Sequence, residues 1–234
     1  MTNTKNELQS YEMKVLKKKI AIRFALLPLF IGILILLPAG TFNFWQVYIY
    51  FAILLGPMIF VIFYFLKKNP KFLERRMKMK EQETQQKKIV FLTTSTFLLG
   101  FILPGFDHRF GWSDIPTVIV IIADILILLS YILIIYVFKE NSYASRVIEI
   151  DKDQKVISSG PYSIVRHPMY LGILVMFLST PIALGSYWAI IPLAMLPVSL
   201  VFRIFNEEKV LSEQLPGYKE YCKKVRFRMI PFIW

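Results

Sequence analysis

Long uncharged apolar blocks, separated by basic stretches, constrain the fold of this chain most strongly. Of its 234 residues, 56% are hydrophobic, which is above the roughly 45–50% of soluble domains. A block of about 20 apolar residues spans the hydrocarbon layer as a helix, because every backbone N–H and C=O must be paired there within the segment. The sequence therefore predicts an all-α fold, a polytopic membrane helix bundle.

About six transmembrane segments are predicted. They run from Ile20 to Leu37, Trp45 to Leu66, Ile89 to Phe106, Ile115 to Phe138, Tyr170 to Ala183 and Tyr187 to Phe205. Leu184-Gly185-Ser186 interrupts the last apolar region, and Gly and Ser inside such a run mark a turn. The last two segments are therefore predicted to form a tight helical hairpin. The first segment follows a charged leader without a small-residue cleavage site, which indicates a retained helix rather than a signal peptide.

Lysine and arginine placement predicts the orientation. Of the 28 basic residues, 27 fall before or just inside the first segment, in the 67–88 loop, in the 139–168 loop or after Phe202, and Arg109 falls on the other side. The positive-inside rule then predicts cytoplasmic N and C termini, in an inner or plasma membrane or, in a eukaryote, the endoplasmic reticulum.

The same distribution explains the net charge of +12. The basic residues orient the chain in the membrane and attract anionic lipid headgroups. The 67–88 loop carries Phe72 as its single aromatic residue, so it offers little for stacking on bases. We expect the lipid bilayer, and no nucleic acid, as a partner.

Few residues suit a metal or a disulfide. Cys222 is the single cysteine, and His108 and His167 are predicted on opposite sides of the membrane, so neither a disulfide nor a metal site is expected. Asp124 lies within a predicted span, where an acidic group is costly and faces protein or a wet cavity. It either pairs with the Thr93–Thr96 cluster or lines a substrate path.

Unusual polar residues concentrate in two stretches on the predicted cytoplasmic side. The first stretch comprises residues 158–172. In it His167 directly precedes Pro168, which favours extended backbone at His167 and a helix start at Pro168. The N–H groups of that helix start suit an anion such as a carboxylate.

The second stretch carries Arg203 and Glu207, four residues apart and therefore on one helical face. Since the hairpin returns to the side it left, the two stretches are predicted to lie together. The tail after Gly217 mixes aromatic and basic residues and is predicted to fold back as a cover. The alternative is that these residues are an exposed ion pair, interfacial anchors and an aromatic belt.

Four motifs follow one another in order: Gly-Pro-Tyr at 160–162, Arg-His-Pro-Met-Tyr-Leu-Gly at 166–172, Asn-Glu-Glu at 206–208 and Gly-Tyr-Lys-Glu-Tyr at 217–221. With the hairpin between them, they resemble the isoprenylcysteine carboxyl methyltransferase family and, more broadly, the integral-membrane methyltransferases that include phospholipid N-methyltransferases. The similarity covers about Gln154 to Pro231.

The resemblance implies an S-adenosylmethionine-dependent methyltransferase. It divides the chain into a four-helix region, 1–138, with the basic loop 67–88, and a cofactor-binding region, 139–234. The implied cofactor contacts are Gln154, Lys155, Val156, Ile157, Tyr162, His167, Pro168, Met169, Tyr170 and Glu207. Arg203 is the implied substrate-orienting residue, with Arg166 also on the substrate side. Since no Gly-x-Gly occurs, a Rossmann-type cofactor site is not expected.

A lipophilic small molecule or lipidated substrate is the expected acceptor. A carboxylate is favoured because Arg203 suits a bidentate contact with it. A phospholipid amine and a small thiol remain alternatives within the same superfamily. A non-enzymatic transporter or receptor is an alternative of another class, as is a relative of sterol reductases with a nicotinamide cofactor, for which the chain is short.

Overall fold

The computed structural model describes residues 2–77, 84–145, 148, 150–151 and 153–234. Within these ranges the chain forms α-helices and a 3₁₀ turn, Gly160–Ser163, and no β-strand. The helices are α1 Thr2–Ala39, α2 Trp45–Lys68, α3 Pro70–Met77, α4 Thr84–Phe110, α5 Thr117–Glu140, α6 Pro168–Ala183, α7 Ile190–Leu193, α8 Leu196–Gln214 and α9 Tyr218–Lys224. The predicted all-α bundle is confirmed.

Four stretches are long and apolar enough to cross a membrane: Tyr11–Ala39, Trp45–Lys68, Thr117–Glu140 and Ile190–Gln214. Helix α6 is apolar but has 16 residues, and a helix of that length rises about 24 Å, less than the hydrocarbon thickness of about 30 Å. Helices α4 and α6 occupy the positions of the two other predicted segments, and that they cross the membrane stays a prediction. The orientation of the termini stays a prediction.

The predicted hairpin turn is present. Helix α6 ends at Ala183, Gly185 adopts a φ of +72°, and the Ser186 N–H donates to the Pro181 carbonyl at 2.9 Å. A left-handed φ of this kind favours glycine. The second arm differs from the prediction, because α8 continues to Gln214 instead of ending near Phe205. Its extra turns bury Val210, and Leu211 on them packs against the buried cluster of Leu215, Tyr218, Tyr221 and Val225.

The basic 67–88 loop is only partly a loop. Residues 78–83 lie outside the described ranges, α4 begins at Thr84, and α3 occupies Pro70–Met77. Phe72 and Leu73 of α3 are buried, and the Phe72 ring packs on Phe65 and Phe138. This short helix is therefore anchored to the bundle by its apolar face.

One apolar core connects the two predicted regions. It contains buried residues from Ile20 to Leu184, and α5 packs closely along α6. The division at residue 138 stays a prediction. Asp124 lies buried on α5, and its Oδ1 has no hydrogen-bond partner among the described residues. Its predicted pairing with Thr93–Thr96, like the alternative substrate path, stays a prediction.

Gly105 allows α1 and α4 to approach each other. A Cβ at this position would lie 2.2 Å from the Ile35 carbonyl oxygen, a backbone atom that cannot rotate away. We expect Gly105→Ala to destabilise the protein by about 1–3 kcal/mol through overpacking, measured as a lower thermal unfolding midpoint in detergent. Gly56→Ala is the matched control, since nothing lies within 4 Å of a Cβ there. An equal effect of both changes would contradict the prediction.

Candidate functional site

A pocket of about 870 Å³, open mouth included, lies at the end of the bundle where α5 ends and α6 begins. Its wall is formed by the loop after α5, the start of α6, the middle of α8 and the short helix α9. All the predicted site residues except Pro168 line it: Gln154, Lys155, Val156, Ile157, Tyr162, Arg166, His167, Met169, Tyr170, Arg203 and Glu207. Pro168 is the first residue of α6 and does not line the pocket.

The hairpin brings the two polar stretches together, as predicted. The Tyr170 hydroxyl donates to Glu207 Oε2 at 2.6 Å, and Arg203 Nε donates to the same hydroxyl at 2.8 Å. The rings of Tyr170 and His167 also stack, with their centroids 5.6 Å apart. The Tyr170 hydroxyl of α6 thus connects Arg203 and Glu207 of α8 at the wall of the pocket.

Glu208 contacts two arginines and a histidine, a role that sequence reasoning did not assign. Its carboxylate lies 2.8 Å from Arg166 Nε, 3.2 Å from His167 Nε2 and 3.0 Å from Arg228 Nε. The Arg166 contact is a charge contact, since its angle does not make a hydrogen bond. Arg166 and Glu208 are largely buried, with 7% and 12% of their side chains exposed. The Asn-Glu-Glu motif was recognised, but it did not indicate which carboxylate faces which partner.

Few backbone N–H groups are free at the start of α6. Pro168 has none, and the amides of Tyr170 and Leu171 both donate to the His167 carbonyl, at 3.1 and 3.4 Å. The expectation that this helix start suits an anion such as a carboxylate stays a prediction. At this corner the permanent positive charge is the guanidinium of Arg166.

The segment after α8 covers the site, as predicted. The N–H groups of Arg166 and His167 donate to the carbonyls of Phe227 and Arg228, at 3.0 and 2.7 Å. The Tyr221 hydroxyl donates to the Tyr162 carbonyl at 2.7 Å. These bonds join residues from α9 and the chain after it directly to the pocket corner.

Burial disfavours ionisation of three pocket tyrosines, Tyr162, Tyr218 and Tyr221. Burial raises the pKa of Tyr162 to about 12, although a hydrogen bond from the Asn141 side chain acts in the opposite direction. Burial also raises the pKa of Tyr218 and Tyr221 above the ordinary value. The Tyr218 hydroxyl is buried and has no hydrogen-bond partner within the described part of the chain. It is a polar group available to a ligand.

Several lining residues were not predicted. They are Asn141, Tyr143, Ala144, Ser145, Ile148, Ile150, Leu211, Leu215, Tyr218 and Tyr221. The Gly-Tyr-Lys-Glu-Tyr motif contained the signal for Tyr218 and Tyr221, since tyrosines three apart on a helix share one face. Nothing in the pattern of residues 141–150 indicated a pocket wall.

The described residues contain no group of three or more His, Cys, Asp or Glu side chains that could hold a metal ion. Cys222 is a free, partly buried thiol on α9. The donors and acceptors around the pocket are instead guanidinium, imidazole, carboxylate, amide and phenol groups. They suit an organic ligand with both charged and polar ends.

Comparison with known proteins agrees with this description. The family model for phospholipid methyltransferases matches residues 118–216, which run from α5 to just beyond α8. The match supports a membrane methyltransferase, and it confirms the predicted resemblance at the level of the integral-membrane methyltransferase superfamily. The narrower resemblance to isoprenylcysteine carboxyl methyltransferases stays a prediction.

The chain is also similar to the Delta(14)-sterol reductase of Mus musculus. The two are 31% identical over 86 residues, which is 35% of this chain and 20% of the reductase. The similarity thus spans about a fifth of that relative's length.

Proposed function

We propose that the protein is an S-adenosylmethionine-dependent methyltransferase that acts on a lipophilic acceptor, with a carboxylate favoured, at the membrane boundary. The observation that carries the proposal is the Tyr170 hydroxyl, which joins Arg203 and Glu207 on the pocket wall beside His167. The match to the phospholipid methyltransferase family supports the same reaction class.

The residues of the pocket suit S-adenosylmethionine. Lys155 provides positive charge and His167 an imidazole for its carboxylate, and Glu207 provides an acceptor for its amine or ribose hydroxyls. Arg166 is proposed to lie on the substrate side. The unpartnered Tyr218 hydroxyl provides a further polar contact. Gln154, Val156, Ile157, Tyr162, Met169 and Tyr170 complete the proposed contacts. Pro168 contributes by starting α6 where His167 and Met169 face the pocket.

S-adenosylmethionine supplies a methyl group on a sulfonium, and transfer breaks the methyl–sulfur bond as the acceptor forms its own bond to that carbon. The protein's contribution is alignment, and holding reactants in near-attack geometry is worth about 7–11 kcal/mol. A carboxylate acceptor needs no general base. It needs an orienting cation, and we assign that task to Arg203, held by Tyr170. The cover formed by α9 limits the access of water.

Other acceptors within the superfamily place different demands on Arg203. A phospholipid amine or a small thiol must lose a proton before it attacks, and a protonated amine is repelled by a guanidinium. A phospholipid is the acceptor class in the name of the matching family. The methylation rates of each acceptor class by an Arg203 variant distinguish a carboxylate acceptor from an amine or a thiol.

A second candidate function is nicotinamide-dependent reduction, which the similarity to Delta(14)-sterol reductase favours. The two candidates share the pocket but differ in ligand. A reductase would bind NADPH, whose phosphates are anionic, whereas the proposed methyltransferase must balance a sulfonium and an ammonium with acceptors such as Glu207.

Calorimetric titration in detergent tests the proposal. We expect S-adenosylmethionine to bind with a dissociation constant between about 1 μM and 1 mM, the usual range for enzyme substrates, and NADPH to bind at least tenfold more weakly. Stronger binding of NADPH would favour the reductase. If neither ligand binds, both enzyme assignments are contradicted and a transporter or receptor is favoured.

A further inference from the structure

The loop after α5 forms one wall of the pocket but contains little regular structure. Its described residues between Asn141 and Ile157 include no helix or strand, and Tyr143, Ser145 and Gln154 line the pocket. A loop of this kind lacks the backbone ladder that fixes a helix, so side chains from other elements must hold its carbonyl groups.

Helix α3 supplies such side chains. Arg75 Nη1 donates to the Ser142 carbonyl at 2.9 Å, and Arg76 Nη1 donates to the Ser145 carbonyl at 3.1 Å. Arg75 also forms an ion pair with Asp151, and its guanidinium lies over the Tyr143 ring at 5.4 Å. The two arginines thus contact both halves of the loop.

These contacts extend to the pocket itself. Arg76 Nη1 lies 3.9 Å from the Met169 sulfur at the start of α6. Asp151, the partner of Arg75, accepts the Gln154 N–H at its backbone carbonyl at 3.0 Å, and its own N–H donates to the Gln154 side chain at 3.1 Å. Arg75 therefore holds the turn that presents Gln154, while Arg76 connects the loop to α6.

Helix α3 is itself held firmly. Asn69 Oδ1 accepts the Phe72 N–H at 3.3 Å, and Pro70 occupies the first helical position, both of which favour a helix start. Phe72 and Leu73 are buried in the bundle, and Arg23 of α1 donates to the Met77 carbonyl at 2.7 Å. The helix that supports the loop is therefore itself packed into the bundle and hydrogen-bonded to α1.

We propose that α3 is a positioning element of the cofactor pocket, in which Arg75 and Arg76 fix the 141–157 wall in its ligand-binding conformation. This inference rests on the proposed function for the identity of the ligand. It assigns a role within the site to a segment that the sequence indicated only as a basic loop.

The test compares Arg76→Ala and Arg75→Ala with Lys71→Ala, which removes an exposed charge from the same helix. Hydrogen–deuterium exchange without ligand should be faster in residues 142–157 of both arginine variants and unchanged in Lys71→Ala. The dissociation constant for S-adenosylmethionine should rise about tenfold in Arg76→Ala, because the ligand must then order a wall that Arg76 no longer holds in place. Arg76→Lys should recover part of that loss.

Kinetics distinguish positioning from a general effect on folding. Poor positioning raises the KM for S-adenosylmethionine with kcat changed less than about twofold, because binding is lost more than chemistry. Partial unfolding would instead lower kcat at constant KM. If Arg76→Ala does not fold, Arg76→Lys and Arg75→Ala carry the same test.

Unchanged exchange and unchanged affinity in the arginine variants, with a wild type that binds S-adenosylmethionine, would overturn this inference alone. A wild type that does not bind S-adenosylmethionine would overturn the proposed function. The exchange experiment would still decide whether α3 holds the loop.

Discussion

Replacing Glu208 by alanine should destabilise the protein by roughly 3 kcal/mol, at the lower end of the 3–5 kcal/mol that breaking a buried charge pair costs. The change leaves Arg166 and His167 without their common carboxylate in a buried position. Arg228 reduces the effect, since a third of its side chain is exposed and water can solvate it. For a chain of this length the midpoint of thermal unfolding should fall by about 6–12 °C.

Two further variants separate charge from packing in this prediction. Glu208→Gln keeps the shape of the side chain but removes the charge, and we expect it to lose most of the same stability. Glu213→Ala removes an exposed carboxylate from the same helix, α8, and should change the midpoint by less than about 2 °C, as usual for a surface substitution. Similar midpoints for Glu208→Ala and Glu213→Ala would show that Glu208 is not an internal counter-ion.

Arg203→Ala should lower kcat/KM about 10- to 100-fold with a carboxylate acceptor. Hydrogen bonds to charged groups contribute about 1.5–3 kcal/mol, and the variant removes the proposed contact with the acceptor as well as the bond to Tyr170. With an amine acceptor the same variant should retain or gain activity, because repulsion is removed. The measurement is initial-rate methylation of each acceptor class at saturating S-adenosylmethionine.

Arg203→Lys and Lys209→Ala serve as controls. The lysine keeps the charge but cannot form a bidentate contact, so its activity should lie between wild type and alanine. Lys209 is exposed on the same helix and should be replaceable with little effect. An equal loss with every acceptor class would argue against an acceptor-orienting role and for a structural role of Arg203 next to Tyr170.

The features that could be predicted from the sequence depend on strong local signals. Uninterrupted apolar blocks identified the helices, because membrane insertion demands them, and Gly185 identified the hairpin turn because few residues adopt its φ. The hairpin then required the His167 and Glu207 stretches to meet. The position of the pocket follows from that single topological step.

The remaining features depend on tertiary contacts that leave little local pattern. Helix α3 is rich in charge and short, so its two buried residues, Phe72 and Leu73, were not a sufficient sign of a helix. The sequence of the 141–157 wall has no hydrophobic period, and the hydrogen bonds from Arg75 and Arg76 to the Ser142 and Ser145 carbonyls leave no local pattern. The different partners of Glu207 and Glu208 arise because adjacent residues on a helix point about 100° apart, and only the packed structure shows where each direction leads.

The backbone bonds from Arg166 and His167 to Phe227 and Arg228 also bear on how the protein is made. The two partners in each bond are about sixty positions apart, and the whole hairpin must insert into the lipid between them. A chain still being translated therefore carries an unfinished pocket, however many of its helices have entered the membrane. The pocket corner is completed only when the stretch around residue 228 has left the ribosome and bonded to Arg166 and His167.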